Sequence, residues 1–428
     1  MGHDDQISIN IKNEPPLDMN TIAFIILFAL IFDFALNVLA DYLNLSRLRD
    51  DLPRDFEGVY DAERYRKSQE YLKAKTHFGW ATATFELTVM LAFWFGKGFP
   101  LLDEWVRAFN HGPIVCGLIY MATLMLFKSI LSLPFSIYHT FVIEERFGFN
   151  QTTWTTYILD LLKGLLLAVL LGAPLLSAIL AFFAYAGANA WWLCWIAVTL
   201  FMLGVQFVAP TWIMPFFNKF IPLEDGELKS AILSYADSIK FPIENVYVMD
   251  GSKRSAKSNA FFTGFGAHRR IVLFDTLIKQ HTTGELVAIL AHEMGHYKKR
   301  HIIQSLILGI LQMGFMLYLL SLFISYPGLF EAFYMPQASV YAGLIFFAML
   351  YTPLDFFIGL FMQRRSRTNE IAADRFSVET TQDPQSMVDA LKKLSVHNLS
   401  NLLPHPFYVF LNYSHPPVLQ RIRAILKF

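Results

Sequence analysis

Residues 161–185 read LLKGLLLAVLLGAPLLSAILAFFAY, with Lys163 the one charged side chain in the run. A helix needs about 20 mostly apolar residues to cross the hydrocarbon of a bilayer, so this stretch is read as a membrane span. Six further stretches pass the same test: 21–40, 78–97, 113–139, 190–217, 302–326 and 338–363. The first follows a polar leader with no small-residue cleavage site behind it, and reads as an anchor rather than a removable signal peptide. The expected organisation is therefore five spans within 1–217 with a polar loop at 41–77, a polar segment 218–301, two spans within 302–363, and a polar tail 364–428.

Composition agrees. Of 428 residues 54% are hydrophobic and 16% charged, against about a quarter charged in a soluble chain. Lys+Arg and Asp+Glu balance at 35 each, which disfavours nucleic-acid binding, and the hydrophobicity excludes a disordered chain. Cys116 and Cys194 lie in apolar runs and read as packing residues, not a disulfide framework.

Lys and Arg gather on the cytosolic side of membrane proteins. On the N-terminal face stand only Lys12, Lys97 and Arg107, while the opposite face carries 30 basic residues, eight of them in the 41–77 loop alone. The N terminus is expected outside or in a lumen, with both large polar segments and the C terminus in the cytosol. The N-x-S/T triplets at Asn44, Asn150, Asn398 and Asn412 then all fall on the cytosolic side and read as chance. Within the spans, Asp160 and Lys163 suit pairing near a span end. Asp33, Glu86, Lys128 and Asp355 lie deeper, where ionisable groups face protein or an aqueous cavity.

The chemistry sits in the polar segments. Gly284–Arg300 reads GELVAILAHEMGHYKKR, preceded by Thr282, which with Glu285 has capping-box spacing. On the helix that follows, His292 and His296 stand at i and i+4 and project from one face. Two neutral imidazoles so placed can bind one Zn²⁺, with Glu293 beside the open position as the group that takes a proton from water and passes it to the leaving amine. A catalytic zinc site needs a third protein ligand. Asn369–Phe376, NEIAADRF, offers Glu370 as that ligand, with Asp374 four residues on to accept a hydrogen bond from a ligand histidine. The plainer reading is a solvated helix whose acids pair with Arg367 or Arg375.

These stretches together resemble the integral-membrane zinc metalloproteases of the type 1 CAAX prenyl protease family. HEMGH at 292–296, NEIAAD at 369–374, SNAFFTGFG at 258–266, RIVLFDTLI at 270–278, TFVIEERFGFN at 140–150 and SHPPVLQRI at 414–422 carry the likeness. The resemblance implies a mostly α-helical protein whose seven transmembrane helices enclose a chamber, with a gluzincin-type α/β zinc protease core on the cytosolic side. It implies one Zn²⁺ held by His292, His296 and Glu370, Glu293 as general base, and Asn259 and Ala260 on an edge strand that pairs with the substrate backbone. His415 would stabilise the oxyanion, and Arg421 would pair with Asp374 or brace the site.

Read from residues alone, SNAFFTGFGAHRRIVLF is two strand-like runs about a Gly-containing turn. It suits strand addition of a peptide and equally a small hairpin burying Phe261 and Phe265. His415, followed by two prolines, reads equally as a helix start. TFVIEERFGFN has no catalytic reading of its own and looks like an interfacial brace; 385–398 and 417–428 read as amphipathic helices packed on the zinc core.

The implied activity is removal of the last three residues of a prenylated C-a-a-X protein. The expected partners are a peptide or protein substrate, C-terminally prenylated, and the bilayer, with no nucleic acid and no obligate protein partner. The membrane would be endoplasmic reticulum in a eukaryote and the cytoplasmic membrane in a prokaryote. Two rival readings are a prokaryotic-type membrane protease with no prenyl requirement, towards which GSKRSAKSNAFFTGFG leans, and a seven-span receptor or transporter, which leaves HEMGH, NEIAAD and SHPP unexplained.

Overall fold

A chain crossing hydrocarbon must satisfy its own backbone, and long helices do so. The computed structural model describes residues 19–49, 51–243, 245–263 and 270–428, and seven of its helices are long and apolar enough to span a membrane. They begin with α1 (Thr21–Leu45) and α2 (Ala62–Phe95). After a short α3 (Gly98–Arg107) come α4 (Pro113–Glu144), α5 (Trp154–Tyr185) and α6 (Gly187–Phe217).

Each span contains or closely overlaps one apolar stretch, but two helices run well beyond theirs. Asp61 caps α2, accepting from the Arg64 amide at 2.7 Å, and the helix continues through good helix formers (RKSQEYLKAK) before it turns apolar. An apolar window measures hydrocarbon thickness, not helix length.

The polar segment after α6 folds as a four-stranded sheet in the order β1-β2-β4-β3, with helices against it. Its elements are β1 (Phe220–Pro222), α7 (Glu227–Ser238), β2 (Asn245–Met249), β3 (Ala260–Thr263), β4 (Arg270–Phe274), α8 (Asp275–Gln280) and α9 (Thr283–Lys298). β2 runs parallel to β4, and among the described residues β3 pairs antiparallel with β4 alone (Ala260 opposite Leu273), which leaves β3 at the sheet edge. The turn joining β3 to β4, with Phe265, lies outside the described residues; Phe261 is half-buried. Ile232, Val246, Ile271, Leu273, Leu286 and Leu290 form the core between sheet and α9.

The last spans are α10 (His301–Phe323) and, after a short α11 (Pro327–Glu331), α12 (Val340–Thr381). The tail adds α13 (Pro384–His397), α14 (Pro406–Asn412) and α15 (Val418–Ile425). α13 and α15 pack together, and α13 also packs on α9, as expected of the amphipathic stretches. Pro417 caps α15, whose first turn opens on Val418 and not on a proline.

Neighbouring spans meet in chain order, and α12 closes on α1. Their side chains are sparsely packed: at most 17% of any span's most apolar window is buried. Among the described residues the largest buried cluster gathers towards the end that carries α3 and α11. There Trp94 donates from Nε1 to the Ala332 carbonyl at 2.8 Å, and Phe333 stacks on Phe346 at 3.9 Å between centroids. At the other end, Asp160 accepts both Nε and Nη2 of Arg254 (2.7 and 2.8 Å), and Lys163 donates to the Phe216 carbonyl at 2.6 Å. Both groups are thus paired near a span end, as their positions suggested.

Candidate active site

α9 starts at a complete capping box. Thr282 accepts from the Glu285 amide at 3.4 Å, and Glu285 Oε2 accepts from the Thr282 amide at 3.2 Å. The same carboxylate takes His281 Nδ1 at 2.9 Å and Lys393 Nζ at 2.6 Å, tying the cap to α13. Such a cap is worth about 1 kcal/mol; here it also fixes where the helix begins and which face meets α12.

The two helices approach closely because of Gly295. A Cβ there would lie 3.0 Å from Phe376 Cδ1 and 3.3 Å from the Ala373 Cα. This glycine, inside the HEMGH motif, lets α12 lie against α9, and both helices present i, i+4 pairs to the contact: His292 and His296 from one, Glu370 and Asp374 from the other. α12 is one helix from span to site, so Glu370 and Asp374 stand on a continuation of the seventh span.

Three of the expected ligands converge. His292 Nε2 lies 3.2 Å from His296 Nε2 and 3.4 Å from Glu370 Oε2, and His296 Nε2 lies 3.2 Å from Glu370 Oε1. A tetrahedral ion with bonds of 2.0–2.1 Å holds its ligand atoms about 3.3 Å apart, so the cluster has the dimensions of such a centre. Glu370 Oε2 is buried with no hydrogen-bond partner, an arrangement that is costly unless a cation takes it up. The distal nitrogens are occupied: His292 Nδ1 faces Asp374 Oδ1 at 2.8 Å, and His296 Nδ1 faces His301 Nδ1 at 3.1 Å. This turns both Nε2 lone pairs towards Glu370. Burial works against charge on His292, but Asp374 and Glu370 outweigh it and push its pKa up to about 9, so the pocket favours positive charge. The residues fit a metal.

Around the cluster, Arg421 grips the fully buried Asp374 through Nε (2.8 Å) and Nη2 (2.6 Å), with Nη1 3.5 Å from Glu370 Oε2. Burial opposes its charge, but Asp374, Glu370 and Glu293 raise its pKa further, so it stays a cation. Glu293 is half-buried on the same helix as the histidines. His415 is exposed, with Nε2 3.4 Å from Glu370 Oε1 and Nδ1 2.9 Å from Ser414 Oγ. SHPP therefore brings His415 to the cluster and also starts α15.

Asn259 immediately precedes edge strand β3. Its carbonyl accepts from the Phe274 amide at 3.1 Å. Hydrogen-bonded and non-bonded pairs alternate in an antiparallel ladder, so Ala260, opposite Leu273, points its N–H and C=O to the open edge. The Asn259 side chain meanwhile accepts from that N–H at 2.9 Å.

Two residues of the site escape a reading of the sequence. His301 meets His296 because Arg300, at φ 60°, breaks the helix between them in the left-handed region. No glycine or asparagine signals that break. Arg367, which sequence offers only as a partner for nearby acids, instead donates Nη1 to the carbonyls of Tyr413 (2.5 Å) and Val409 (3.2 Å) and so holds the segment bearing His415.

Comparison with known proteins agrees with this geometry. The family described as CAAX prenyl protease N-terminal, five membrane helices, matches residues 41–219, and Peptidase family M48 matches residues 222–428. A CAAX prenyl protease 1 homolog of Arabidopsis thaliana is 35% identical over 92% of this chain and 96% of its own length. CAAX prenyl protease 1 of Saccharomyces cerevisiae is 35% identical over 90% of each chain. The crystal structure of S. mikatae Ste24p superposes with a TM-score of 0.90 at 32% identity, covering 95% of this chain and 99% of the other. With the motifs, the converging cluster and the seven spans all explained together, as no receptor or transporter reading explains them, the chain belongs to the CAAX prenyl protease family of multi-pass membrane metallopeptidases.

Proposed function

We propose that the protein is a zinc endopeptidase that removes the last three residues of C-terminally prenylated C-a-a-X proteins. The meeting of His292, His296 and Glu370 beside Glu293 carries the reading. Two imidazoles, one carboxylate and roughly tetrahedral spacing suit zinc, one ion per chain. When bound, zinc supplies a Lewis acid and lowers the pKa of water at an open position.

The chain's own residues do the rest. Glu293 takes the proton of the attacking water and returns it to the departing amine. His415 Nε2 donates a hydrogen bond to the substrate carbonyl oxygen as that oxygen gains charge. Ala260 N–H and C=O pair with the extended peptide as an added strand, Asn259 releasing the N–H when substrate arrives. Asp374 keeps the His292 tautomer and Arg421 holds Asp374 in place. A ring of sparsely packed spans supports an enclosed chamber open to a lipid-bearing substrate. The Lys/Arg asymmetry supports an outside or lumenal N terminus with both polar segments in the cytosol.

The test is Glu293→Gln in the full-length protein, assayed on a prenylated C-a-a-X peptide and its unprenylated twin by mass spectrometry, with metal content measured. Cleavage is expected to fall about 10²–10⁴-fold with metal retained, and the wild type should prefer the prenylated peptide. Undiminished cleavage by the variant refutes the mechanism. Equal wild-type rates on the two peptides remove the prenyl requirement.

A further inference from the structure

The TFVIEERFGFN stretch has no part in the chemistry described above, yet one of its acids, Glu144, reaches Lys257, two residues in front of Asn259. Glu144, at the end of span α4, accepts Lys257 Nζ at Oε2 (2.7 Å) and Tyr71 Oη at Oε1. Lys257 Nζ also lies 2.9 Å from Tyr71 Oη and 4.4 Å from the centroid of Phe149. The Glu144 side chain is 12% exposed and that of Lys257 34%, so the carboxylate of this ion pair is largely withdrawn from water while the lysine is partly covered.

Backbone pairing runs alongside. Ala256 N–H donates to the Phe149 carbonyl and Gln151 N–H to the Arg254 carbonyl, both at 3.0 Å, about an antiparallel bridge between Asn150 and Ser255. From the other side, the Asn398 carboxamide at the end of α13 brackets Ser258, with Oδ1 3.3 Å from its amide nitrogen and Nδ2 3.5 Å from its carbonyl. Thr276 Oγ1 donates to the Lys257 carbonyl at 3.0 Å, and Ser258 Oγ to Gln280 at 2.5 Å. Residues 257–258 have no regular secondary structure, but α4, α8 and α13 each hold them.

We infer that Lys257 and Asn398 are positioning residues for the peptide substrate: they set the Asn259–Ala260 edge against the metal cluster, Lys257 from the membrane side through Glu144, and Asn398 from the tail. A loop that needed only covering has no use for a lysine neutralised by a withdrawn glutamate on a spanning helix. The consequence is specific. The edge is bonded to β4 and so rests on the sheet that packs on α9, but the two residues leading into it are tied in addition to span α4 and to the tail, so this tie can be cut without touching a metal-ligand side chain. Losing either positioning residue weakens binding of the extended peptide in ground and transition state alike, which raises KM and leaves kcat.

This rests on the edge-strand reading proposed above, and the experiment keeps the two apart. Full-length protein carrying Lys257→Met, Lys257→Arg, Asn398→Ala or Ala260→Pro is assayed on a prenylated peptide for KM and kcat, with metal content and thermal unfolding recorded. Ala260→Pro deletes only the outward N–H, which no ladder bond uses, as edge strands tolerate. Loss of the charge-assisted contact in Lys257→Met, and of the carboxamide's pair of backbone contacts in Asn398→Ala, is expected to raise KM about tenfold in each, with kcat and metal content retained and Lys257→Arg close to wild type. A merely structural role would instead lower the unfolding temperature and kcat at unchanged KM, which overturns the inference. If Ala260→Pro raises KM and the other two do not, the positioning role alone falls. If none of the three raises KM, the edge-strand reading falls and takes this inference with it.

Discussion

Asp374 is the least exposed charge of the site, at 0%, and accepts three charge-assisted contacts: Arg421 at 2.8 and 2.6 Å and His292 Nδ1 at 2.8 Å. Asp374→Asn keeps the shape and removes the charge, and every consequence has the same sign. Arg421, whose side chain is 12% exposed, loses its bidentate partner and keeps Glu370 at 3.5 Å and the field of Glu293. Orphaning one member of a buried pair costs about 3–5 kcal/mol; the residual contact with Glu370 and one surviving amide hydrogen bond place the loss near the lower end, about 3 kcal/mol. His292 Nδ1 then faces an amide and a guanidinium in place of a carboxylate, so its tautomer is no longer fixed. Outer-sphere losses of this kind weaken metal binding about 10–100-fold. The unneutralised guanidinium repels the ion as well, which favours the upper figure, about 2.8 kcal/mol. Zinc titration of chelator-stripped protein and thermal unfolding in detergent measure both effects. The double variant Asp374→Asn with Arg421→Met should unfold at a higher temperature than Asp374→Asn alone, because it removes the orphaned cation. The reasoning is refuted if Asp374→Asn unfolds and binds zinc like wild type, or if removing Arg421 destabilises it further.

His415→Ala should leave stability and metal content unchanged, since the side chain is exposed, and lower kcat about 10²–10³-fold if it meets developing charge; steady-state kinetics showing only a KM change would contradict this. Gly295→Ala should cost about 1–3 kcal/mol, as overpacking does, because the new methyl meets the α12 backbone; a thermal-unfolding and zinc-affinity pair equal to wild type would show that α9 and α12 can part without harm.

What was legible in the sequence follows from range. Spans announce themselves over some twenty consecutive residues, and HEMGH and NEIAAD each close within two helical turns, so local periodicity carried them. The cap at Thr282 was legible for the same reason. The ends of α2 and α12 were not, because a polar helix continues an apolar one without any change of backbone. β1 is three residues, Phe220–Pro222, and pairs with β2 across an intervening helix, so no pattern inside it predicts a strand. His301 depends on the left-handed Arg300, and Arg367 on carbonyls more than forty positions away. Such contacts exist only after the helices have docked.

That docking explains why these ligands cannot be treated as a soluble domain tethered to a membrane anchor. Glu370 and Asp374 ride on α12, which is continuous from Val340 to Thr381. His292 and His296 ride on α9, from which only Lys299 and Arg300 separate span α10. α10 is itself seated in the membrane region by Trp195, which packs against Gly314 and donates from Nε1 to the Ile310 carbonyl at 2.8 Å. An angular change in either span is therefore delivered to a cluster whose ligand atoms must stay near 3.3 Å apart to hold an ion. The proposed substrate edge at Ala260 is bonded to β4 in the sheet that packs on α9 and is tied in addition to α4 through Lys257 and Glu144. The proposed ligands and the proposed substrate edge are thus tied to three different spans, α10, α12 and α4, as well as to one another through the sheet, and the bilayer-crossing helices form part of the frame of the site rather than its anchor alone.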